Sequence, residues 1–146
     1  MKAIRATKLL GLPVRLHGIQ LGRPTELLLD VDGLRALGLD LVCGDQVHRF
    51  LPLPTAVISE TQIEIRSPLV LLEEDELAFY RARSFTLRSL RGRPVEQDGR
   101  AIGMLEDVVV DSTGPVTELV VDADGEEQRV PFGPGVRVAP GSRSAA

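Results

Sequence analysis

Five aspartates, Asp98, Asp107, Asp111, Asp122 and Asp124, crowd the second half of this chain. Carboxylates in such numbers could supply the oxygen ligands that a hard cation takes. Most of them fall at turns and strand ends, where Asp hydrogen-bonds to nearby backbone N–H groups. We therefore assign no metal site, and read Asp30 and Asp111 as turn-capping residues. Two histidines and one cysteine complete the reactive set: His17, His48 and Cys43. Nucleophilic catalysis needs a nucleophile and a base held in hydrogen-bond reach. His17 falls in a turn, His48 in a polar strand, and no Ser or Cys completes a pair with either. A lone Cys43 reads as a small hydrophobe. No catalytic residue and no cofactor are assigned.

Arg81, Arg83, Arg88, Arg91 and Arg93 form the densest basic stretch, just after the acidic run Glu73–Glu76. Such a run is ordinarily a solvated face balanced by its acidic neighbours. As a docking surface it would suit an acidic partner, with strong salt dependence. These five arginines are the candidate partner-binding residues. Gly99 and Gly103 lack the Gly-Lys-Ser/Thr ending of a phosphate-binding loop and belong to a hairpin.

The elements that must position these residues occur twice. Over residues 90–111 the chain reads strand, tight turn, strand, with Asp98-Gly99 as a type I′ hairpin signal. Moving the first half by 81 positions lays Gly11 on Gly92, Pro13 on Pro94 and Val14 on Val95. Gly18 then meets Gly99, Gly22 meets Gly103, Asp30 meets Asp111, Gly33 meets Gly114 and Gly44 meets Gly125. Leu27-Leu28-Leu29 falls on Val108-Val109-Val110. Shared glycines imply shared bends, so Gly11, Gly18, Gly22, Gly92, Gly99 and Gly103 are read as structural turn positions.

Each copy shows short strands broken by turn signals, the pattern of a small sandwich or barrel. The first copy predicts strands near 3–7, 12–16, 21–30, 35–42, 46–52 and 62–66. The second predicts them near 84–88, 93–97, 102–111, 115–122, 127–131 and 135–138. The organisation expected is a first unit at 1–70, a connector at 71–83, a second unit at 84–138 and a disordered tail at 139–146. Acidic residues opening the connector suit one helical turn. Each unit alone is near the lower size limit for an independent core, so the two are expected to share apolar surface. The second unit ends early and lacks a counterpart to the strand near 62–66. That open edge predicts homodimerisation.

The composition is that of an ordinary globular protein. The chain has 146 residues, is 43% apolar, carries a net charge of −4 and has 3% aromatic residues. The acidic balance and the scarcity of aromatics argue against a nucleic-acid grip. One cysteine excludes an internal disulfide and fits a reducing, cytoplasmic setting. No window approaches the roughly 18 apolar residues of a membrane span.

The glycine–proline lead-in, Asp98-Gly99, Ile102-Gly103, Val108-Val109-Val110-Asp111, Leu119-Val120-Val121 and Val130-Pro131 together resemble the PRC-barrel family. That family is named for the H subunit of the photosynthetic reaction centre. The likeness covers residues 84–138, and residues 3–66 more loosely: there Leu27–Leu29 replaces the valines and His17-Gly18 replaces Asp-Gly. The resemblance implies an all-β chain of two tandem small antiparallel barrels related by duplication. Relatives of this kind serve as adaptor or assembly modules, in the reaction-centre subunit, a ribosome maturation factor and archaeal division proteins. The membrane helix of the first and the different N-terminal domain of the second have no counterpart here. The family has no shared catalytic residues to carry over. The expectation is a non-enzymatic, cytoplasmic protein-interaction adaptor whose partner is another protein or a second copy. The alternatives are ribosome-linked RNA or ribosomal-protein binding, and a small ligand held between the two barrels.

Overall fold

A computed structural model describes residues 3–139. The first half runs through β1 (Ile4–Arg5), α1 (Ala6–Leu9), β2 (Val14–Leu16), β3 (Ile19–Asp30), β4 (Ala36–Cys43) and β5 (His48–Pro52). After a 3-10 turn at Leu53–Thr55 come β6 (Val57–Ile58) and β7 (Ile63–Ile65), then a second 3-10 turn at Pro68–Val70. The connector helix α2 spans Glu74–Arg81. The second half runs through β8 (Ser84–Thr86), α3 (Leu87–Leu90), β9 (Pro94–Gln97), β10 (Arg100–Val110), β11 (Val116–Ala123), β12 (Glu126–Pro131) and β13 (Val136–Val138).

The all-β reading holds. The strands form two sheets, antiparallel except where β2 and β7 run parallel. One sheet has the order β5-β4-β3-β2-β7-β6, the other β12-β11-β10-β9-β13. The sheets do not follow the sequence repeats in every strand. β1 pairs with β10 of the second unit, Ile4 opposite Val110 and Arg5 opposite Val109. β8 pairs with β3 of the first unit, Phe85 opposite Leu29 and Thr86 opposite Leu28. The two pairings are images of each other under the repeat, so each unit lends the other its first strand.

Two corrections to the expected strands follow. Residues 3–7 and 84–88 are not single strands: each is a two- or three-residue strand running into a four-residue helix. Ala6–Leu9 and Leu87–Leu90 occupy the same place in the repeat, and their buried ends, Ala6, Leu9, Leu87 and Leu90, enter the core. The connector also has more helix than the single turn expected, since α2 is eight residues long. Glu74, Asp75 and Glu76 open it and Arg81 closes it, each sign suited to its end of the helix dipole.

The glycine register is right at three pairs and shifts at two. Gly11 and Gly92 lie in the turns after α1 and α3, but the bends differ, since Gly92 has positive φ and Gly11 does not. His17-Gly18 and Asp98-Gly99 have positive φ at both residues, as a type I′ turn requires. Gly22 and Gly103 sit within β3 and β10, where a Cβ would come 2.6 Å from the Val42 carbonyl oxygen and 2.5 Å from that of Asp122. The counterpart of Gly114 is Leu34, not Gly33: both have positive φ, and each donates its N–H back to the end of the preceding strand. The β3–β4 turn is one residue longer than the β10–β11 turn. Nor do Gly44 and Gly125 correspond. The second hairpin turns at Asp124-Gly125, whereas the first has a longer loop with its positive φ at Gln46.

The core is continuous across both units. One cluster of buried side chains joins Leu9, Val14, Leu27, Leu29, Leu39 and Ile63 with Leu87, Leu90, Val95, Val108, Val110 and Leu119. A second, smaller cluster lies on the outer face of the first sheet. There Leu77 of α2 packs with Leu28 and Phe50, and Leu37, Leu72 and Tyr80 surround them. Gly38 makes room for it, because a Cβ there would stand 2.6 Å from the Phe50 ring.

The second sheet has one strand fewer than the first, as expected: β7, which runs parallel to β2, has no counterpart. The edge of β9 is nevertheless not open, because β13 pairs with it antiparallel. Of the tail expected to fray from Ala139, Ala139 itself is buried and donates to the Pro94 carbonyl at 2.8 Å. Residues 140–146 lie outside the described residues.

Candidate functional site

The apolar connector run Leu69-Val70-Leu71-Leu72 splits between inside and outside. Leu72 exchanges two backbone hydrogen bonds with Phe50, at 2.9 and 2.8 Å, and so caps the outer edge of β5. Leu71 is half-buried, but Leu69 is 88% exposed. The connector thereby lies across the β4–β5 hairpin and encloses an open groove of about 480 Å³. Leu21, Cys43, Pro68 and Leu71 give it apolar walls, and Asp45, Arg49 and Glu73 give it a charged rim. Ile19, next to the lining residue Gln20, is 68% exposed.

The rim is ordered by Arg49. Its guanidinium donates to both oxygens of Asp45, at 3.1 and 2.8 Å, and its Nε lies 3.5 Å from Glu73. Val47 N–H adds a bond to Asp45 at 3.1 Å. The Arg49 bonds, then Val47, pull the Asp45 carboxyl down to about 2. The same contact with Asp45 raises the Arg49 guanidinium. Asp45 and Arg49 therefore keep their charges across all ordinary pH. Cys43 is buried in the groove wall, as its reading as a small hydrophobe anticipates.

The arginine stretch does not form one face. Arg81 donates to Asp40, a buried carboxylate that also bonds His48 Nδ1 at 2.7 Å. Arg83 lies 3.7 Å above the Phe79 ring and donates to the Phe79 carbonyl. Arg93 is buried, 5.1 Å over the Phe85 ring. Arg88 and Arg91 share a surface groove with Met104, Glu106 and Asp122. Neighbours in sequence were separated because the segment passes from helix to strand to helix and each turn re-aims its side chains.

His48 therefore serves as a strut: Asp40 ties it to α2 through Arg81. His17 is in the type I′ turn. Asp98 and Asp124 hold positive-φ turn positions, Asp111 accepts from Thr113, and Asp122 accepts from the Gly125 N–H. Asp30 accepts from the Asp32 N–H as Asp111 does from Thr113, the matched turn caps expected of them. Asp107 is fully buried and is taken up by Thr7 and Arg5. Among the described residues, no group of three or more His, Cys, Asp or Glu is placed to hold a metal ion. No helix among them is long and apolar enough to cross a membrane.

The groove beside Leu69 was not legible in the sequence. Its one signal is the leucine after Pro68, since a 3-10 turn three residues long cannot bury every side chain of an apolar run. Residues 83–142 match the family model of the PRC-barrel domain. No curated protein sequence matches the chain.

Proposed function

With a PRC-barrel domain at residues 83–142 as the premise, we propose that this chain is a non-enzymatic adaptor that binds another protein. The observation that carries the reading is the filled junction between the two units. Leucine and valine side chains of both halves form one core there, which supports a rigid platform over a small-ligand site between barrels. On that platform the groove between the connector and the β4–β5 hairpin is the docking face. Its apolar walls would take a side chain of the partner, and the exposed Leu69 and Ile19 would be covered by it. The fixed Asp45–Arg49–Glu73 rim would set orientation. A cytoplasmic setting belongs to this same reading.

A photo-crosslinking residue at position 69 tests it in the native cell. The reading expects a discrete protein adduct that disappears when Ile19→Asp is added, with the melting temperature unchanged. Adducts only to nucleic acid, or a protein adduct indifferent to Ile19→Asp, would contradict it.

A further inference from the structure

The outer edges of the two sheets are treated differently. In the first unit the outer edge of β5 is covered by the Phe50–Leu72 backbone pair and by α2. By the sheet register the counterpart of Phe50 is Arg129 on β12. β12 pairs with β11 on one side, and no strand among the described residues pairs with the other. All of its residues but Val130 are exposed.

Which groups face outward follows from one bond. Phe132 N–H donates to the Thr117 carbonyl, and the β11–β12 register is unbroken. Backbone groups alternate along an antiparallel strand. Gln128 and Val130 therefore point theirs at β11, while Glu127, Arg129 and Pro131 point theirs outward. Glu127 and Arg129 offer two N–H and two C=O groups, and Pro131 has no N–H and stops the ladder.

We infer that β12 pairs antiparallel with β12 of a second copy of this chain, about a two-fold axis at Gln128. In that register Glu127 faces Arg129 of the partner subunit, and Arg129 faces its Glu127. Four backbone bonds form, and both side-chain pairs are of opposite sign. A register centred on Glu127 would oppose like charges, and one centred on Arg129 would do the same and bring in Pro131. The edge is thus self-complementary in one register. Such an isologous contact closes at a dimer and does not propagate. This inference is independent of the groove, which lies on the other unit.

Sedimentation velocity of the intact chain over a wide concentration range tests it. Self-association is expected, weakening with salt because the pairs are exposed. Arg129→Glu and Glu127→Arg should each weaken it about tenfold, since cross-strand like charges repel. The double exchange should restore it. Their present partners, Glu118 and Arg5, are surface contacts that contribute little, so melting curves should stay near those of the unsubstituted chain and show that the variants fold. Concentration-dependent slowing of Arg129 amide exchange would place the contact on this strand. A chain that stays monomeric with fast Arg129 exchange overturns the inference, as does a dimer that both single variants leave intact.

Discussion

Asp107 on β10 accepts hydrogen bonds from the backbone N–H of Thr7 at 3.2 Å and from its hydroxyl at 2.5 Å, across the junction between the units. The repeat reproduces the contact: Glu26 on β3 accepts from the backbone N–H of Arg88 at 3.4 Å. Each carboxylate also takes the N–H of the residue after it, Val108 or Leu27. A short helix from one unit thus has its N-terminus held by a carboxylate of the other, where free N–H groups and the helix dipole favour negative charge. This contact joins strand pairing in tying each first strand to the other unit.

The two carboxylates should be unequal in weight. Asp107 is fully buried and also bonds Arg5 at 3.0 Å, whereas Glu26 reaches the Arg88 guanidinium only at 3.9 Å. Asp107→Ala leaves the α1 N-terminus without its partner and Arg5 with Glu127 alone, at a cost of about 3 kcal/mol. Glu26→Ala should cost about 1 kcal/mol, the usual value for a cap. Urea denaturation of the two variants measures the difference.

Glycine-to-alanine scanning should separate the true repeat positions from the coincident ones. At Gly22 and Gly103 a methyl group would collide with a neighbouring strand's carbonyl. Each change should cost about 2 kcal/mol through forced backbone shifts. Nothing lies within 4 Å of the place a Cβ would take at Gly33 or Gly44, and neither has positive φ. Substitution there should be neutral or slightly stabilising. Thermal melts of the four variants suffice.

That contrast shows what was readable in the chain. The strands were legible because β-branched and leucine runs between turn residues leave few alternatives, as in β10 and β11. The duplication was legible through Gly18, Gly22, Gly99 and Gly103, whose bends are local properties. Loop length was not: the shift from Gly33 to Leu34 appears only once Leu29 is seen opposite Ala36 and Val110 opposite Val116. The helices α1 and α3 were missed because four residues have almost no helical stability of their own. Their caps and their packing come from residues distant in sequence. Strand exchange is non-local in the same way, since β1 would fit either unit by pattern alone. The separate contacts of the five arginines were not legible because proximity in sequence says nothing about direction where helix and strand alternate every few residues.

The outer-face cluster should be a separable part of the stability. Leu77→Ala removes a fully buried side chain from beneath α2 and should cost about 3 kcal/mol. Gly38→Ala should cost a similar amount by crowding the Leu51 carbonyl oxygen of β5 and the Phe50 ring, on which Tyr80 stacks at 4.4 Å. In both variants hydrogen exchange should quicken first in α2 and at Leu72, while β10 and β11 stay protected.

The groove rim gives a pH prediction. Asp45 has its pKa depressed in the folded chain, so its contribution is present above the ordinary value of 3.8 and is lost as pH falls toward about 2. A carboxyl titration by NMR should place its midpoint near 2. In Arg49→Ala the main cause is gone, and the midpoint should move back toward 3.8.

The reciprocal exchange of first strands is the claim on which the shared core, the capping carboxylates and the rigid-platform reading all depend. Cross-strand nuclear Overhauser effects test it most directly. Close approach of Arg5 to Val109 and of Thr86 to Leu28 is expected within one monomeric chain. Finding instead Arg5 beside Leu28 and Thr86 beside Val109, each unit keeping its own first strand, would contradict it.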